Sequence, residues 1–318
     1  NGGNLDLQPD FVWIKKRAGG SARAHGLYDS SRGVTKLLHS NTDGAESTQT
    51  AGLTAFGSDG FTVGSDDGVD GSGGTYVAWQ WKANGGTTTT NDASATSVGS
   101  LDSVYQANTT AGFSIVTYTG AGGNQTIAHG LGVTPTLIFI KRRDDAGDWT
   151  SYHASEGDEK FLRLNGNNAL GDQATYFNDT TPTSTVFTVG SAGDVNTSSG
   201  THVAYCFAEI QGYSKFGKYT GNNSADGTFV YTGFKPAFIL IKRLDSTGSW
   251  VINDSTRNPT NQANNTLVPD ENWVETTSDY YAMDILSNGF KFRKNSPEIN
   301  GSSTSQIFMA FAEHPFVS

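Results

Sequence analysis

Residues 135–141 read Pro-Thr-Leu-Ile-Phe-Ile-Lys, in which four consecutive apolar residues follow a proline and end at a lysine. The same pattern occurs at residues 9–15, Pro-Asp-Phe-Val-Trp-Ile-Lys, and at residues 236–242, Pro-Ala-Phe-Ile-Leu-Ile-Lys. A continuous apolar run of this length is typical of a central strand buried on both faces. Proline is tolerated where such a strand starts, because its missing N–H is not needed there. We therefore predict three copies of one central β-strand.

A second block follows each of these runs at a nearly constant distance. It reads Gly-Phe-Thr-Val-Gly-Ser at residues 60–65, Val-Phe-Thr-Val-Gly-Ser at residues 186–191, and the weaker Gly-Phe-Lys-Phe at residues 289–292. The phenylalanine lies 52, 52 and 54 residues after the proline of its copy. A fixed period of this kind indicates an internal repeat.

A closing strand ends each copy, at residues 75–81, 201–207 and 305–311. Side chains two residues apart on a strand point to the same face. Val77, Trp79 and Trp81 therefore share one face, and so do their counterparts in the second copy. We predict that this face packs into the core of each copy.

Only the second and third copies have an opening strand, at residues 112–120 and 212–221, with its tyrosine 17 residues before the proline. The sequence given has no counterpart before Pro9. Either the given sequence lies within a longer polypeptide, or another chain donates the strand. We expect the open edge to be covered, because an unpaired strand edge promotes aggregation. The start Asn1-Gly2-Gly3 is expected to be internal or processed.

These blocks divide the chain into ranges that we call the first module (1–84), the second module (112–211) and the third module (212–318). Residues 85–111 are rich in Gly, Thr, Ser and Ala. This composition predicts either a linker or an extended strand that lies along a neighbouring module.

The composition favours an all-β protein that does not bind nucleic acid. The chain has 39 Gly, 18 Phe, 12 Tyr and 6 Trp, and charged residues make up only 16%. Aromatic side chains bury a large area each and suit strands. The net charge of −10 repels nucleic acid. The single cysteine allows no intrachain disulfide. No apolar run is long enough for a transmembrane helix, so we predict no membrane insertion.

The repeated blocks carry a resemblance to a known group of proteins. The proline–apolar–lysine strand, the Gly-Phe-Thr-Val-Gly-Ser block and the closing strand Gly-Thr-Tyr-Val-Ala-Trp resemble a repeat domain of unassigned function. That domain recurs in large, tail-fibre-like virion proteins of marine and environmental phages. The resemblance implies tandem β-sandwich modules of the concanavalin-like or jelly-roll type and a location in the virion. It brings no catalytic residues.

Acidic residues could form two kinds of site, a calcium site and a pair of catalytic carboxylates. Asp66, Asp67 and Asp70 lie in a glycine-rich loop and are weak candidates for calcium. The corresponding positions elsewhere are occupied by residues such as Asn196 and Asn300, which favours a turn that hydrogen-bonds its own backbone. The candidates for paired catalytic acids are Glu156 with Asp158 and Glu159, and Asp270 with Glu271. We expect both groups to lie in exposed polar loops, where a carboxylate does not have a raised pKa. We therefore predict no metal site and no cofactor.

No acid or nucleophile recurs in all three copies, which predicts a protein that is not an enzyme. Trp273, Tyr280 and Tyr281 fall in an insertion-like stretch and are the predicted binding surface, where rings could stack on sugars. The favoured function is a structural virion protein in a tail fibre or surface appendage. A secreted carbohydrate-binding, lectin-like module and a capsid decoration protein are the alternatives. The expected partners are other virion proteins, a second copy of the chain and a glycan of the host surface.

Overall fold

A computed structural model describes residues 7–314, and its ordered segments are overwhelmingly antiparallel β-strands. The predicted all-β class is confirmed. The predicted start at Asn1-Gly2-Gly3 lies outside the described residues. The contacts divide the chain into two compact units, Asn1–Asn165 with Asp172–Ala208, and Gly166–Gly171 with Glu209–Ser318. Each unit is described by itself.

The elements of the first module and of residues 85–111 follow in chain order. The first module contains β1 (Phe11–Ala18), β2 (Gly26–Asp29), β3 (Lys36–His39), β4 (Ser47–Thr48), β5 (Leu53–Gly57), β6 (Gly60–Val63), the one-turn helix α1 (Asp67–Asp70) and β7 (Thr75–Trp81). Residues 85–111 contain β8 (Thr89–Asn91), α2 (Ala93–Thr96) and β9 (Ser103–Asn108).

The elements of the second and third modules follow in chain order. The second contains β10 (Phe113–Thr119), β11 (Gln125–Ala128), β12 (Leu137–Arg142), β13 (Thr150–His153), β14 (Lys160–Arg163), β15 (Gly171–Asp172), α3 (Ala174–Phe177), β16 (Val186–Val189), α4 (Gly193–Asn196) and β17 (Thr201–Phe207). The third contains β18 (Ser214–Thr220), β19 (Phe229–Tyr231), β20 (Pro236–Arg243), β21 (Val251–Asp254), β22 (Asn265–Thr266), β23 (Thr276–Thr277), a 3₁₀ turn (Asp279–Tyr281), β24 (Met283–Leu286), β25 (Gly289–Phe292), α5 (Pro297–Asn300) and β26 (Ser305–Ala312).

The strands predicted from the proline–apolar–lysine runs are central, as expected. β1 lies between β2 and β7, β12 between β13 and β17, and β20 between β21 and β26. The first five residues of β12 are buried, as are residues 11–14 of β1 and 238–241 of β20, which confirms burial on both faces. The order β10-β17-β12-β13 in the second module has the same pattern as β18-β26-β20-β21 in the third.

Residues 85–111 extend the sheet of the second module. β9 pairs with β10 over six residues, from Ser103 opposite Tyr118 to Asn108 opposite Phe113, and β8 pairs with β9. The extended-strand alternative therefore describes this stretch.

Each module forms a core between its larger sheet and a small second sheet. In the second module, Val116 and Ile138 of the large sheet pack with Phe187 and Val189 of β16. In the third, strands β24 and β25 supply the opposite side of the core, and in the first, β5 and β6 do so. This layering is consistent with β-sandwiches.

The closing strands bury a different face in these cores from the one predicted. Ala78 of β7 packs against the core of the first module, and Ala204 of β17 belongs to the core of the second. Trp79, Trp81 and Tyr205 lie on the opposite face and are buried as well. The prediction that these large aromatics fill the core of their own module is wrong, because the small side chains face the nearby second sheet.

Among residues 7–314, the helices lack the length and apolar character needed to cross a membrane.

Candidate functional site

An aromatic layer joins the first and second modules within the first unit. The ring of Phe11 stacks on Tyr205 with centroids 4.4 Å apart, and it lies 6.1 Å from Phe113. Trp81 contacts Phe207 edge-on at 6.2 Å. All five rings are at least nine-tenths buried. The aromatic faces of the two large sheets therefore pack against each other, and rings in such contacts add to the stabilisation from burial alone.

A buried polar network crosses the same junction. The hydroxyl of Tyr205 donates to Oδ2 of Asp29 at 2.6 Å, and the same carboxylate forms an ion pair with Arg32. Arg32 Nη1 lies 3.0 Å from Oε2 of Glu46, and Arg143 Nε lies 3.0 Å from the same oxygen. Burial alone would raise the pKa of Glu46, but the two guanidinium groups hold it below its ordinary value. Removal of one partner would leave a buried charge unpaired, which is strongly destabilising.

The lysine that ends the central strand of the second module binds a loop of the first. Lys141 Nζ donates to the carbonyl of Asp43 at 3.0 Å, and the backbone N–H of Gly147 donates to the same carbonyl at 2.9 Å. Nearby, Trp149 Nε1 donates to the carbonyl of His39 at 2.8 Å. Burial lowers the pKa of Lys141 to about 8. The lysine therefore fixes the backbone of the neighbouring loop instead of facing solvent.

The second unit contains the same contact. Lys242 Nζ donates to the carbonyl of Asn168 at 2.8 Å, and the N–H of Gly248 donates to the carbonyl of Asn167 at 2.9 Å. Burial lowers the pKa of Lys242 to about 8 as well. The backbone at residues 167–168 is thus held within the second unit as the backbone of Asp43 is held within the first.

The corresponding lysine of the first module is also buried. Lys15 Nζ donates to the carbonyl of Arg23, which belongs to its own module, and burial lowers the pKa of Lys15 to about 8. The recurrence of this lysine is visible in the sequence, but its burial and its lowered pKa in all three copies are seen only in the structure. Its carbonyl contacts in each copy explain the recurrence structurally.

The predicted aromatic surface is only partly exposed. Trp273 and Tyr280 are 52% and 42% exposed, and Val274 beside them is 43% exposed. Tyr281 is 9% exposed, and its hydroxyl donates to Glu298. The expectation that Tyr281 belongs to an open stacking platform is therefore wrong, because its ring lies in the core of the third module.

Asp270 does not behave as the sequence analysis expects. It is 7% exposed, and its Oδ1 accepts a hydrogen bond from the backbone N–H of Trp250 at 2.9 Å. Burial raises the pKa of Asp270 to about 7. The expectation of an exposed carboxylate with an ordinary pKa is wrong. In the second module, Asn165 accepts the equivalent hydrogen bond from the backbone N–H of Trp149. In both modules this side chain therefore caps the start of the strand that follows the tryptophan, β13 or β21.

Two of the three calcium candidates, Asp66 and Asp67, bind other groups of the protein. Asp67 lies 2.6 Å from Lys16 Nζ and 2.7 Å from Arg23 Nε, and both contacts lower the pKa of Asp67. Asp66 Oδ1 accepts from the N–H of Gly68 at 2.8 Å and begins α1. Within residues 7–314, no three His, Cys, Asp or Glu side chains are grouped to hold a metal ion. The loop that contains Asp66, Asp67 and Asp70 is therefore explained by ion pairs and capping.

Asn196 and Asn300 have a larger role than the turn that the sequence predicts. Asn196 Oδ1 accepts from the N–H of Ala121 at 2.9 Å, and its Nδ2 donates to the carbonyl of Gly123. Asn300 accepts from the N–H of Asn222 at 3.1 Å. Both side chains are fully buried. In each of the two modules, these hydrogen bonds connect the short helix, α4 or α5, to the loop that follows the opening strand. The prediction of a purely local turn is therefore incomplete.

The first unit also contains a polar groove that the sequence analysis missed. Its volume is about 680 Å³. Its lining is rich in hydroxyl groups and includes two charged residues: Thr90, Ser100, Thr117, Thr119, Thr201, Asp102 and Arg143. The alternation of Thr117 and Thr119 on one strand was the available signal, because period two places them on one face. Hydroxyl groups beside a guanidinium can hydrogen-bond a polyhydroxylated ligand.

Comparison with known protein families gives a match to one family. The family described as "Domain of unknown function (DUF7483)" matches residues 3–315. The chain belongs to this family. The match covers all three modules of this DUF7483 chain, and the family's description assigns no activity. The comparisons with curated proteins and with solved structures found no match.

Proposed function

We propose that this DUF7483 chain is a non-enzymatic structural protein of a phage particle, located in a tail fibre or surface appendage. The virion location rests on the sequence resemblance of the repeated blocks. The structural role rests on the junction between modules. In this role the chain would lie at the particle surface among other virion proteins, and its exposed loops could contact the host surface.

The observation that carries the structural role is the repeated lysine contact. Lys141 and Lys242 each fix a loop of the preceding module through a carbonyl oxygen. Repeated local contacts of this kind are typical of proteins built as arrays of modules. Rigid scaffolds with variable loops suit mechanical and adhesive roles.

We also propose that the three modules are tandem copies of one concanavalin-like or jelly-roll sandwich. The shared strand order of the second and third modules supports this, as does the central position of β1, β12 and β20. The buried asparagines Asn196 and Asn300, which make equivalent contacts, support the same origin.

The groups with shifted pKa values favour structure over catalysis. Lys141 donates to backbone carbonyls, and Asp270 caps a strand through a backbone N–H. Strongly shifted pKa values mark catalytic sites and structural networks alike. Here the partners are backbone groups, which supports the structural interpretation.

Carbohydrate binding is the second candidate function, and the exposure of Trp273 and Tyr280 favours it. Exposed aromatic rings can stack on sugar rings. A glycan array should then give binding that Trp273→Ala abolishes and that Tyr231→Ala, which removes another exposed ring, leaves unchanged. Equal binding by all three proteins would exclude this surface.

Labelling of intact particles tests the main proposal. Antibodies against the chain, applied to purified particles of the phage that encodes it and viewed by negative-stain electron microscopy, should mark a tail fibre or another appendage. Label distributed over the capsid would instead favour the capsid decoration alternative. A protein recovered only in the soluble fraction, with no label on particles, would contradict the virion assignment.

A further inference from the structure

The polar groove of the first unit, with a volume of about 680 Å³, lies on the outer face of the second module's large sheet. Its lining includes Thr117 and Thr119 of β10, which alternate with Val116 and Tyr118 along the strand. Val116 and Tyr118 pack into the core of the second module. Because successive side chains of a strand point to opposite faces, Thr117 and Thr119 point away from that core.

One row of polar side chains crosses the sheet at the level of Thr119. Thr119 lies directly opposite Thr201 of β17. The backbone N–H of Arg143, just beyond the end of β12, donates to the carbonyl of Thr201 at 2.8 Å. Neighbouring strands are about 4.8 Å apart, and residues directly opposite each other share a face. Two hydroxyl groups and a guanidinium group therefore lie side by side along one wall of the groove.

A second row crosses the sheet two residues further along β10. Thr117 lies opposite Val104 of β9, and Val104 lies opposite Thr90 of β8. The two rows are about 7 Å apart, because a strand rises about 3.4 Å per residue. The groove therefore presents threonine side chains in two parallel rows.

Three of these threonines have hydroxyl groups that the protein does not use. Within residues 7–314, the hydroxyls of Thr90, Thr119 and Thr201 make no hydrogen bond to another protein group. Thr90 and Thr119 are exposed, and Thr201 is half-buried. A hydroxyl group can both donate and accept a hydrogen bond. These three groups therefore suit a ligand that carries hydroxyl groups of its own.

The two charged residues of the lining are held in place and keep one polar atom each for a ligand. Asp102 Oδ1 accepts from the backbone N–H of Ala93 at 2.9 Å, which leaves Oδ2 as an acceptor. Arg143 donates through Nε and Nη2 to the two carboxylate oxygens of Glu46, both at 3.0 Å. Its Nη1 remains as a donor. Both side chains are thus positioned before a ligand arrives, which reduces the entropy lost on binding.

Apolar surface completes the groove. Leu101 and Val104 belong to the lining and are half-buried. Small-molecule sites typically combine such surface with a few well-placed polar groups, in a volume of about 300–1,000 Å³. Sugar rings have the matching composition, since they carry C–H groups beside their hydroxyls.

The charges of the groove favour a neutral ligand. The carboxylate of Glu46 neutralises the guanidinium of Arg143. Asp102 adds a negative charge on the other side, and the whole chain has a net charge of −10. An anionic ligand would therefore meet a carboxylate without gaining a cation that is free to pair with it.

We propose that this groove, the threonine groove formed by Thr90, Thr117, Thr119 and Thr201 with Asp102 and Arg143, binds a neutral glycan that contains hexose or N-acetylhexosamine units. The threonine hydroxyls, Asp102 Oδ2 and Arg143 Nη1 hydrogen-bond the sugar hydroxyls. Leu101 and Val104 contact the C–H groups of a ring. The site belongs to the first unit, whereas Trp273 and Tyr280 belong to the second, and it does not depend on the virion assignment.

A glycan array probed with the full chain tests the ligand class. Neutral glycans that end in a hexose or an N-acetylhexosamine should bind, and the same glycans capped with sialic acid or sulfate should bind about tenfold more weakly. Isothermal titration calorimetry with the neutral glycan that gives the strongest array signal then measures the Kd. An increase in NaCl from about 50 to about 500 mM should change this Kd less than twofold, because salt screens charges and a neutral ligand forms no ion pair.

Variants of the threonine rows test the position of the site. Thr119→Val combined with Thr201→Val removes two hydroxyls, keeps two β-branched side chains, and should raise the Kd about tenfold through the loss of two hydrogen bonds. Thr62→Val makes the same change at an exposed strand position outside the groove and should leave the Kd unchanged. Thr119→Trp fills the groove from an exposed position and should abolish binding. Circular dichroism checks that each variant folds.

Four results would overturn the proposal. The first is an array without binding to any neutral glycan. The second is binding that requires sialic acid or sulfate and weakens steeply with salt. The third is a Kd that the double valine variant and Thr119→Trp leave unchanged. The fourth is binding that Trp273→Ala removes while the double valine variant retains it, because the glycan would then occupy the second unit.

Discussion

The hydroxyl of Tyr205 donates a hydrogen bond to the carboxylate of Asp29 at 2.6 Å, although the two residues are 176 positions apart in the sequence. Asp29 ends β2 of the first module, and Tyr205 lies in β17 of the second. Both side chains are fully buried. The bond therefore connects the sheet of the first module with that of the second.

Removal of this hydroxyl should weaken the first unit. Tyr205→Phe keeps the stacked ring but leaves the buried Asp29 with one donor fewer. We expect a loss of about 1–3 kcal/mol in the free energy of unfolding, measured by urea denaturation. Tyr231→Phe is the control, because the Tyr231 side chain is 64% exposed. An equal effect of both variants would contradict the role of the junction.

Lys141 should give the protein a measurable pH dependence in the alkaline range. Its pKa is about 8 when folded and 10.5 when unfolded. Between these values the unfolded state binds more protons, so this lysine makes stability rise with pH. Lys141→Met should remove this rise, which amounts to about 3 kcal/mol at most. The check is the difference in unfolding free energy between wild type and variant at pH 7.5 and pH 10, and a constant difference would contradict the lowered pKa.

Asp270 should have the opposite effect near neutral pH. Its pKa rises from 3.8 to about 7 on folding. The folded state binds more protons between these values, so stability falls as pH rises through this range. Asp270→Asn removes the ionisation, keeps the cap on Trp250 and reproduces Asn165 of the second module. It should stabilise the protein by about 2–4 kcal/mol at pH 8.

The converse substitution is the matched control for Asp270. Asn165→Asp places a carboxylate beside Asp148, to which Asn165 Nδ2 now donates at 2.8 Å. It should destabilise the protein at pH 8, as seen in thermal unfolding. Stabilisation by both substitutions would show that the cap position does not control the effect.

The buried His202 should make the first unit sensitive to acid. Its ring stacks on Tyr118 at 5.0 Å, and burial lowers the pKa of His202 to about 4 from 6.5. The unfolded state therefore binds more protons between pH 6.5 and pH 4, and stability falls as pH falls. His202→Phe keeps the stack and should reduce this loss by up to about 3 kcal/mol.

Urea denaturation at pH 7 and pH 4.5 checks the effect of His202. An acid dependence that is identical in wild type and His202→Phe would assign the effect to other groups.

The sequence predicts the strands well because their signal is local. The apolar runs after Pro9, Pro135 and Pro236 identify central strands without any knowledge of their partners. The extension of the second module's sheet by residues 103–108 was one of two open alternatives, because composition alone does not distinguish a linker from an edge strand.

The junctions and the buried polar groups could not be predicted in the same way. The period-two pattern groups Trp79 with Trp81 but does not say which of two buried faces meets the module's own core. Asp270 looked exposed because its neighbours are polar, although its side chain turns inward to cap Trp250. Contacts such as Tyr205 with Asp29 depend on how two modules pack, which no local pattern encodes.

We propose that this chain is a structural part of a phage particle. Cryo-electron microscopy of intact particles of the encoding phage, with focused refinement of the appendages, tests it most directly. We predict density into which the first unit fits as one body, with the first and second modules joined at Tyr205 and Asp29. Appendages and capsid that are fully accounted for by other proteins, with no density for this chain, would contradict the account.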